Sequence, residues 1–411
     1  MLLIKFLILC SSVGFSQIAN YNSIILGDRA AGMGGAGTAL VEDTSSSAFY
    51  NPATLAQSPG SAFSAAVGIY KKYDTQYGGE SDYTKTPLKV STGFFRSLPA
   101  STGNLIRKEN LTFGLSIVVP EYETFKGDLN ATDTNTTTLA FTDESLWVGA
   151  VVAKNISRTQ SWGLTLYYTA RNFVRSVQDR TYPNTSEAIL FTSEETLVEN
   201  AIVPVLGYFE QTGMGNFGVS LRIRAFPIST QATYFESLTT TNPYSSVQIN
   251  ENNLASTIFI PTKLSLGYSR TFFTDLLLST NVDVYEGFKY ESLNLGGNKG
   301  SAITREVVGN ISVGIEKPIV DWFKVRAGLF TNFSPYPDPD PNLHQFQGER
   351  LDQLGFSANA VFIADNKIGY TFGGYYIGGR GKAIERVNQN FSVITKSQHV
   401  FTMLAGTQFY F

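Results

Sequence analysis

The chain has 411 residues, of which 43% are apolar, 13% aromatic and only 16% charged, with a formal net charge of −3. A typical soluble domain is about 25% charged, so this composition sits poorly with an ordinary water-exposed surface. The weak negative balance and the absence of a Lys/Arg cluster argue against a nucleic-acid partner.

Residues 1–16 carry one positive charge at Lys5, a short apolar run, and small residues at Gly14 and Ser16. That is the layout of a secretory signal peptide, with cleavage expected after Ser16. The single cysteine, Cys10, lies inside it, and Leu9 is not the small residue a lipoprotein site requires. The mature chain then has neither disulfides nor thiolate metal sites. No later stretch approaches about 18 uninterrupted apolar residues, so no transmembrane helix is expected.

From Leu26 to Leu55 the chain is glycine-rich, then acidic, then small and hydroxylated, closing on Asn51, Pro52 and Ala53. Gly32, Gly34, Gly35 and Gly37 have no side chains to pack on a strand, and each costs roughly 1 kcal/mol in a helix interior. An irregular small-residue segment ahead of a long β array reads as a plug inside a barrel, here residues 17–59. The glycines formally match G-x-G-x-x-G, but a dinucleotide site needs a strand before it and a helix after it. No such pattern is present, so no cofactor is expected, and the glycines are read as tight turns in a crowded lumen. Asn51, Pro52 and Ala53 read either as an anchor for the plug or as a plain turn.

Residues 60–411 alternate with a period of two, the signature of strands. Phe217, Val219, Leu221, Ile223 and Ala225 are expected on one face, with Asn216, Gly218, Ser220, Arg222 and Arg224 on the other. Strands are placed near 60–73, 88–97, 110–124, 144–155, 161–177, 196–211, 215–227, 255–271, 274–287, 305–317, 322–333, 352–365, 366–378 and 400–411. That gives about fourteen, with short links alternating with long polar ones such as 125–143, 178–195, 228–254 and 379–399, the outer-membrane pattern. The exception on the short side is 98–109. The last strand ends on the aromatic Phe411, resembling the signal read by bacterial barrel-assembly machinery. The fold expected is all-β, a 14-stranded antiparallel transmembrane barrel with an N-terminal plug. In hydrocarbon a sheet can span only without an edge, and fourteen strands leave a lumen that wall side chains alone do not fill.

The run Gly27 to Ala36, then Val41 to Ser45, then Tyr50, Asn51, Pro52 and Ala53, resembles the N-terminal hatch of FadL-type outer-membrane transporters. The resemblance implies a barrel in the bacterial outer membrane that takes up long-chain fatty acids or other hydrophobic compounds. It also implies ligand release through a gap in the wall near the third strand. The same wording resembles PorV-type barrels, which implies the alternative of a secretion shuttle or surface scaffold without transport. The partners implied are outer-membrane lipid, a hydrophobic ligand (a fatty acid or a detergent-like molecule) and the assembly machinery.

Candidate sites follow from the inward faces. Arg171, Arg222, Arg224, Lys263, Lys324 and Arg326 face few acids there, chiefly Asp283 and Glu316. They could hold a ligand carboxylate, or pair with Asp28, Glu42 and Asp43 of the plug. The stretch 196–211 is apolar on both faces, which suits either a greasy passage or packing against the plug. Pro120 removes a ladder donor at the end of the third strand; it reads first as an ordinary strand end and second, with Gly114 on the same strand, as the candidate lateral opening that would suit the family mechanism. The two histidines, His344 and His399, are expected in exterior loops, and no enzyme is expected. Asp338 and Asp340 could hold Ca²⁺ weakly, but a solvated Pro-rich loop is the better reading.

Overall fold

The computed structural model describes residues 20–58, 60–79, 88–94, 98–108, 110–131, 134–254, 260–272, 275–291, 294–295, 298–299, 302–343, 347–364, 368–387 and 390–410. The expected signal peptide, Phe411 and His344 lie outside the described residues.

The strands are antiparallel and follow the predicted alternation. In chain order they are β1 (Ala62–Gly79), β2 (Leu88–Phe94), β3 (Leu98–Lys108), β4 (Leu111–Ala131), β5 (Asn135–Asn155), β6 (Gln160–Asn184) and β7 (Glu187–Thr212). Then come β8 (Gly215–Arg222), β9 (Phe226–Thr241), β10 (Tyr244–Leu254), β11 (Lys263–Thr271) and β12 (Leu277–Tyr285). Four short segments, β13 (Phe288–Glu291), β14 (Asn294–Leu295), β15 (Asn298–Lys299) and β16 (Ala302–Arg305), form two small sheets apart from the main one. The chain ends with β17 (Val308–Val320), β18 (Phe323–Asn332), β19 (Arg350–Ala364), β20 (Ile368–Val387) and β21 (Asn390–Tyr410).

Ladders link β1 to β3, β3 to β4 and each strand to the next through β5, β6 and β7 to β8. They continue through β11, β12, β17, β18, β19 and β20 to β21, and β21 pairs with β1. Large apolar side chains such as Leu115, Leu266 and Phe356 are exposed on one face, while Thr112, Ser116, Thr165 and Ser265 are buried on the other. This inverts the arrangement of a water-soluble sheet.

The described strand segments number twenty-one rather than about fourteen. Part of the excess is a break at Ile223, Arg224 and Ala225, where β8 stops and β9 starts on a new course. Most of the expected links at 125–143, 178–195 and 379–399 are strand instead, because β4 to β7, β20 and β21 run on past the apolar belt. There the outward positions turn polar, so the hydrophobic period vanishes while β-branched residues such as Thr136, Thr137 and Thr138 keep pairing. His399 accordingly sits on β21, its Nδ1 2.5 Å from the Tyr376 hydroxyl, and not in a loop.

The N-terminal segment 20–58 is mostly buried and packs against these strands. It contains α1 (Arg29–Gly32), α2 (Ser47–Tyr50) and a 3-10 turn at Pro52–Gln57, each one or two turns long. Asp28 caps α1 by accepting from the Arg29 N–H, and Asn51 caps the 3-10 turn ahead of Pro52. Gly34 and Gly35 have φ of 69° and 85°, so the tight turns expected of these glycines do occur.

Candidate functional site

An irregular segment leaves backbone groups without helix or sheet partners, and these must be met elsewhere. Short hydroxyls on the wall meet many of them. Ser161 Oγ donates to the Ala53 carbonyl at 2.8 Å, Thr165 to Ala48 at 2.9 Å, Ser269 to Ala39 at 2.9 Å and Ser279 to Ala36 at 2.8 Å. Asn51 donates both to the Thr38 carbonyl at 2.8 Å and to the Tyr208 carbonyl of β7 at 2.9 Å, while accepting from Ala53. The anchor reading of Asn51 thus has a physical basis, a side chain tying two parts of the segment to one wall strand. Pro52 and Ala53 lie against β6 and β7, next to Gly163 and Gly207.

Paired wall glycines let the backbones come this close, a signal the sequence reading missed. A Cβ on Gly163 would lie 2.5 Å from Pro52, one on Gly218 2.1 Å from the Thr38 carbonyl and one on Gly328 2.2 Å from the Gly34 nitrogen. Gly163 is in register with Gly207, Gly218 with Gly267, and Gly314 with Gly328. Gly32 serves the same contact from the segment's side, packed on Asn359, while Gly37 makes room for the Tyr50 ring within the segment.

The six candidate cations separate into three settings. Arg326 Nε bonds Glu316 at 2.6 Å, and Arg29 of the N-terminal segment reaches the same carboxylate at 2.8 Å. Burial works against the Arg29 charge, but Glu316, with Glu42 and Asp43, outweighs it and holds the guanidinium above its ordinary value. The docking ion pair thus runs from a segment arginine to a wall acid, whereas the sequence suggested segment acids to wall cations. Asp43 acts within the segment, accepting from the Ala30 N–H at 2.9 Å and from Ser45 and Ser46, whereas the Asp28 carboxylate also accepts from Thr371 of β20 at 3.2 Å. Lys324 is half-buried on β18.

Arg224 is the correction. The break at 223–225 reverses the alternation, so its side chain is exposed and pairs with Glu286.

Arg171, Arg222 and Lys263 come together around one small cavity that is partly open to solvent. Its walls include Tyr21, Phe49, Trp147 and Tyr285, and a fourth cation, Arg305, which the sequence reading did not single out. Arg171 is held at 2.8 and 2.7 Å by Asp143 and at 3.0 Å by Glu121, and Lys263 lies 3.5 Å from Asp283. Behind Phe49 and Trp147, the inward side of the stretch 196–211 (Ala201, Val203 and Val205) packs with Leu26, Ala30 and Tyr50. The segment therefore covers that inner face at Ala201, Val203 and Val205, while Leu197 packs with Phe173, Ala232 and Tyr234.

Pro120 and Glu121 also line this cavity. At that point Val119 and Pro120 bulge between the pairs Val118–Trp147 and Glu121–Ser145 of the β4–β5 ladder. Among the described residues the ladder of β4 with β3 ends at Val118. Gly114, by contrast, lies within intact pairing, opposite Leu105 and Val151, and is no part of this break.

Among the described residues no group of three metal-type ligands occurs. Asp340 accepts from the backbone and side chain of Asn342, and Asp338 faces Arg350 at 3.7 Å.

No protein-family model and no curated protein matches the sequence. Solved structures do. A FadL homologue of Pseudomonas aeruginosa aligns over 96% of this chain and 100% of its own, with a TM-score of 0.68 at 15% identity. The toluene transporter TodX of P. putida aligns over 94% and 98%, with a TM-score of 0.66 at 12% identity. The toluene transporter TbuX of Ralstonia pickettii aligns over 94% and 98%, at 0.57 and 13%. The chain has the fold of FadL-type barrels.

Proposed function

We propose that this chain is an outer-membrane channel for passive uptake of long-chain fatty acids or similar hydrophobic molecules. In this reading residues 1–16 are the signal peptide, 17–59 the hatch and 60–411 a 14-stranded barrel, and the ladder circuit from β1 round to β21 supports that count. Phe411 would serve the assembly machinery, and the exposed apolar belt would face lipid. The observation that carries the proposal is the position of the cavity. It lies between the N-terminal segment and the wall, and abuts the place where β4 loses β3 at Val118. A ligand held there has a path sideways into the bilayer that does not require the whole segment to leave. The names of the aligned structures, a FadL homologue and two toluene transporters, support a hydrophobic cargo.

The test is growth on oleate of a Gram-negative host lacking its own fatty-acid transporter and expressing this chain, with a heat-modifiability gel to establish the folded barrel. Growth that disappears on replacing Asn51, Pro52 and Ala53 supports uptake controlled by the hatch. A folded barrel that transports neither oleate nor other hydrophobes would remove the proposal.

A second reading, an interaction barrel of the shuttle or scaffold type, draws on β10. Among the described residues this strand pairs only with β9 and is exposed along almost its whole length, with Tyr244 79% accessible. An open edge of this kind can accept a strand from another protein. Co-purification of a stable partner in mild detergent, lost when a proline is placed within β10, would favour that reading.

A further inference from the structure

Four cations line the cavity, and three already have acceptors. Arg171 has Asp143 and Glu121, Lys263 has Asp283, and Arg305 donates to the Tyr336 hydroxyl. Arg222 differs. It is 8% exposed, its Nε is buried without a hydrogen-bond partner, and it forms no ion pair among the described residues. Its guanidinium carbon lies 5.7 Å from the Trp147 ring centre, 5.8 Å from Tyr285 and 6.0 Å from Phe49. Rings hold a cation in position but offer its N–H groups no acceptor. A buried guanidinium in that state is costly unless something supplies oxygen atoms.

The second observation is the ring beside it. Tyr21, from the start of the N-terminal segment, stacks on Tyr285 with ring centres 4.6 Å apart and planes 20° from parallel. Arg305 sits over the same Tyr21 ring at 5.1 Å. Part of the cavity wall is therefore one planar six-membered ring of the segment stacked on an aromatic ring of β12, close to the guanidinium that lacks an acceptor.

We propose that the cavity binds a planar aromatic monoanion, an arene carboxylate. Its ring takes the stacked place of Tyr21 on Tyr285, and its two oxygens meet Arg222. This rests on the uptake reading only in taking the cavity as the ligand compartment. A fatty acid would satisfy Arg222 and forgo the stacking. A neutral arene would stack and leave Arg222 without an acceptor.

Isothermal titration of the full chain, folded in a non-ionic detergent, tests this with three probes: benzoate, its neutral isostere benzamide, and octanoate, an anion without a ring. Benzoate is expected to bind about tenfold more tightly than either of the others, as a charge-assisted pair and a stacked ring together imply. Arg222→Gln is expected to remove the preference for benzoate over benzamide, and Tyr21→Ala to raise benzoate affinity by vacating the ring slot. Equal binding of benzoate and benzamide by the unsubstituted chain would overturn the anionic head, and octanoate binding as tightly as benzoate would overturn the ring. Neither outcome depends on a variant folding. Hydrophobe uptake by cells is read separately: uptake without a benzoate preference overturns this inference alone, and a benzoate preference without uptake overturns the uptake reading alone.

Discussion

Asn51 is completely buried, and its amide and oxygen serve three backbone groups, those of Thr38, Ala53 and Tyr208. Asn51→Ala leaves those groups unmet inside the lumen, at a cost of about 1–3 kcal/mol to the docking of the segment. The expected result is faster protease cleavage within residues 20–58 and a higher influx of a large antibiotic, with the barrel still heat-modifiable. Asp43 gives the same docking a pH dependence. Burial, and then the neighbouring Asp28 carboxylate, push its carboxyl above the ordinary value, against hydrogen bonds from Ser46, Ala30 and Ser45. The docked state thus binds the proton more tightly than the undocked one. Its contribution is full below about pH 4 and is lost as pH rises through the raised value. Protease cleavage of the segment should therefore accelerate with rising pH, and Asp43→Asn should flatten that profile. Parallel profiles in the two proteins would remove Asp43 from the effect. Asn51 was legible as one of two readings, an anchor or a plain turn, and the family resemblance favoured the anchor. Arg305 and Tyr21 were not, because which residues share a cavity depends on contacts more than 250 positions apart in the chain.

At the scale of the element, period-two alternation located most of the wall but not its ends. It reads apolar against polar, and so it stopped where the outward positions turned polar while Thr-rich strand continued. It also carried Arg224 one turn of the pattern too far, since nothing in Ile223, Arg224 and Ala225 announces that β8 ends there. The bulge at Pro120 was legible, because a residue without an N–H marks where a ladder fails. Pro120→Val restores the donor and is expected to lower hydrophobe uptake severalfold in a barrel that still folds, read as the initial rate of labelled-oleate accumulation. The wall glycines were visible but uninterpretable without the segment packed on them. Gly218→Val puts a Cβ against the Thr38 carbonyl, where 2.1 Å is available. It should displace the segment and raise antibiotic influx, and unchanged influx would show that the segment accommodates the added carbon.

For the whole molecule, the two halves of the fold are complementary. The wall presents glycines and short hydroxyls inward, and the segment presents unpaired carbonyls and small residues outward. Such a segment has no core of its own and depends on the wall for its hydrogen bonds. The ladders of the wall form without contribution from the segment's backbone. The central claim is that this assembly admits hydrophobes while the segment blocks polar solutes. It is tested most directly by measuring, in one strain background, accumulation of labelled oleate and influx of a large polar antibiotic, with the intact chain and with residues 20–58 deleted. Oleate accumulation and low antibiotic influx are expected with the intact chain, and high antibiotic influx through a folded barrel after deletion. No oleate accumulation by the intact chain, together with antibiotic influx unchanged by deletion, would contradict it.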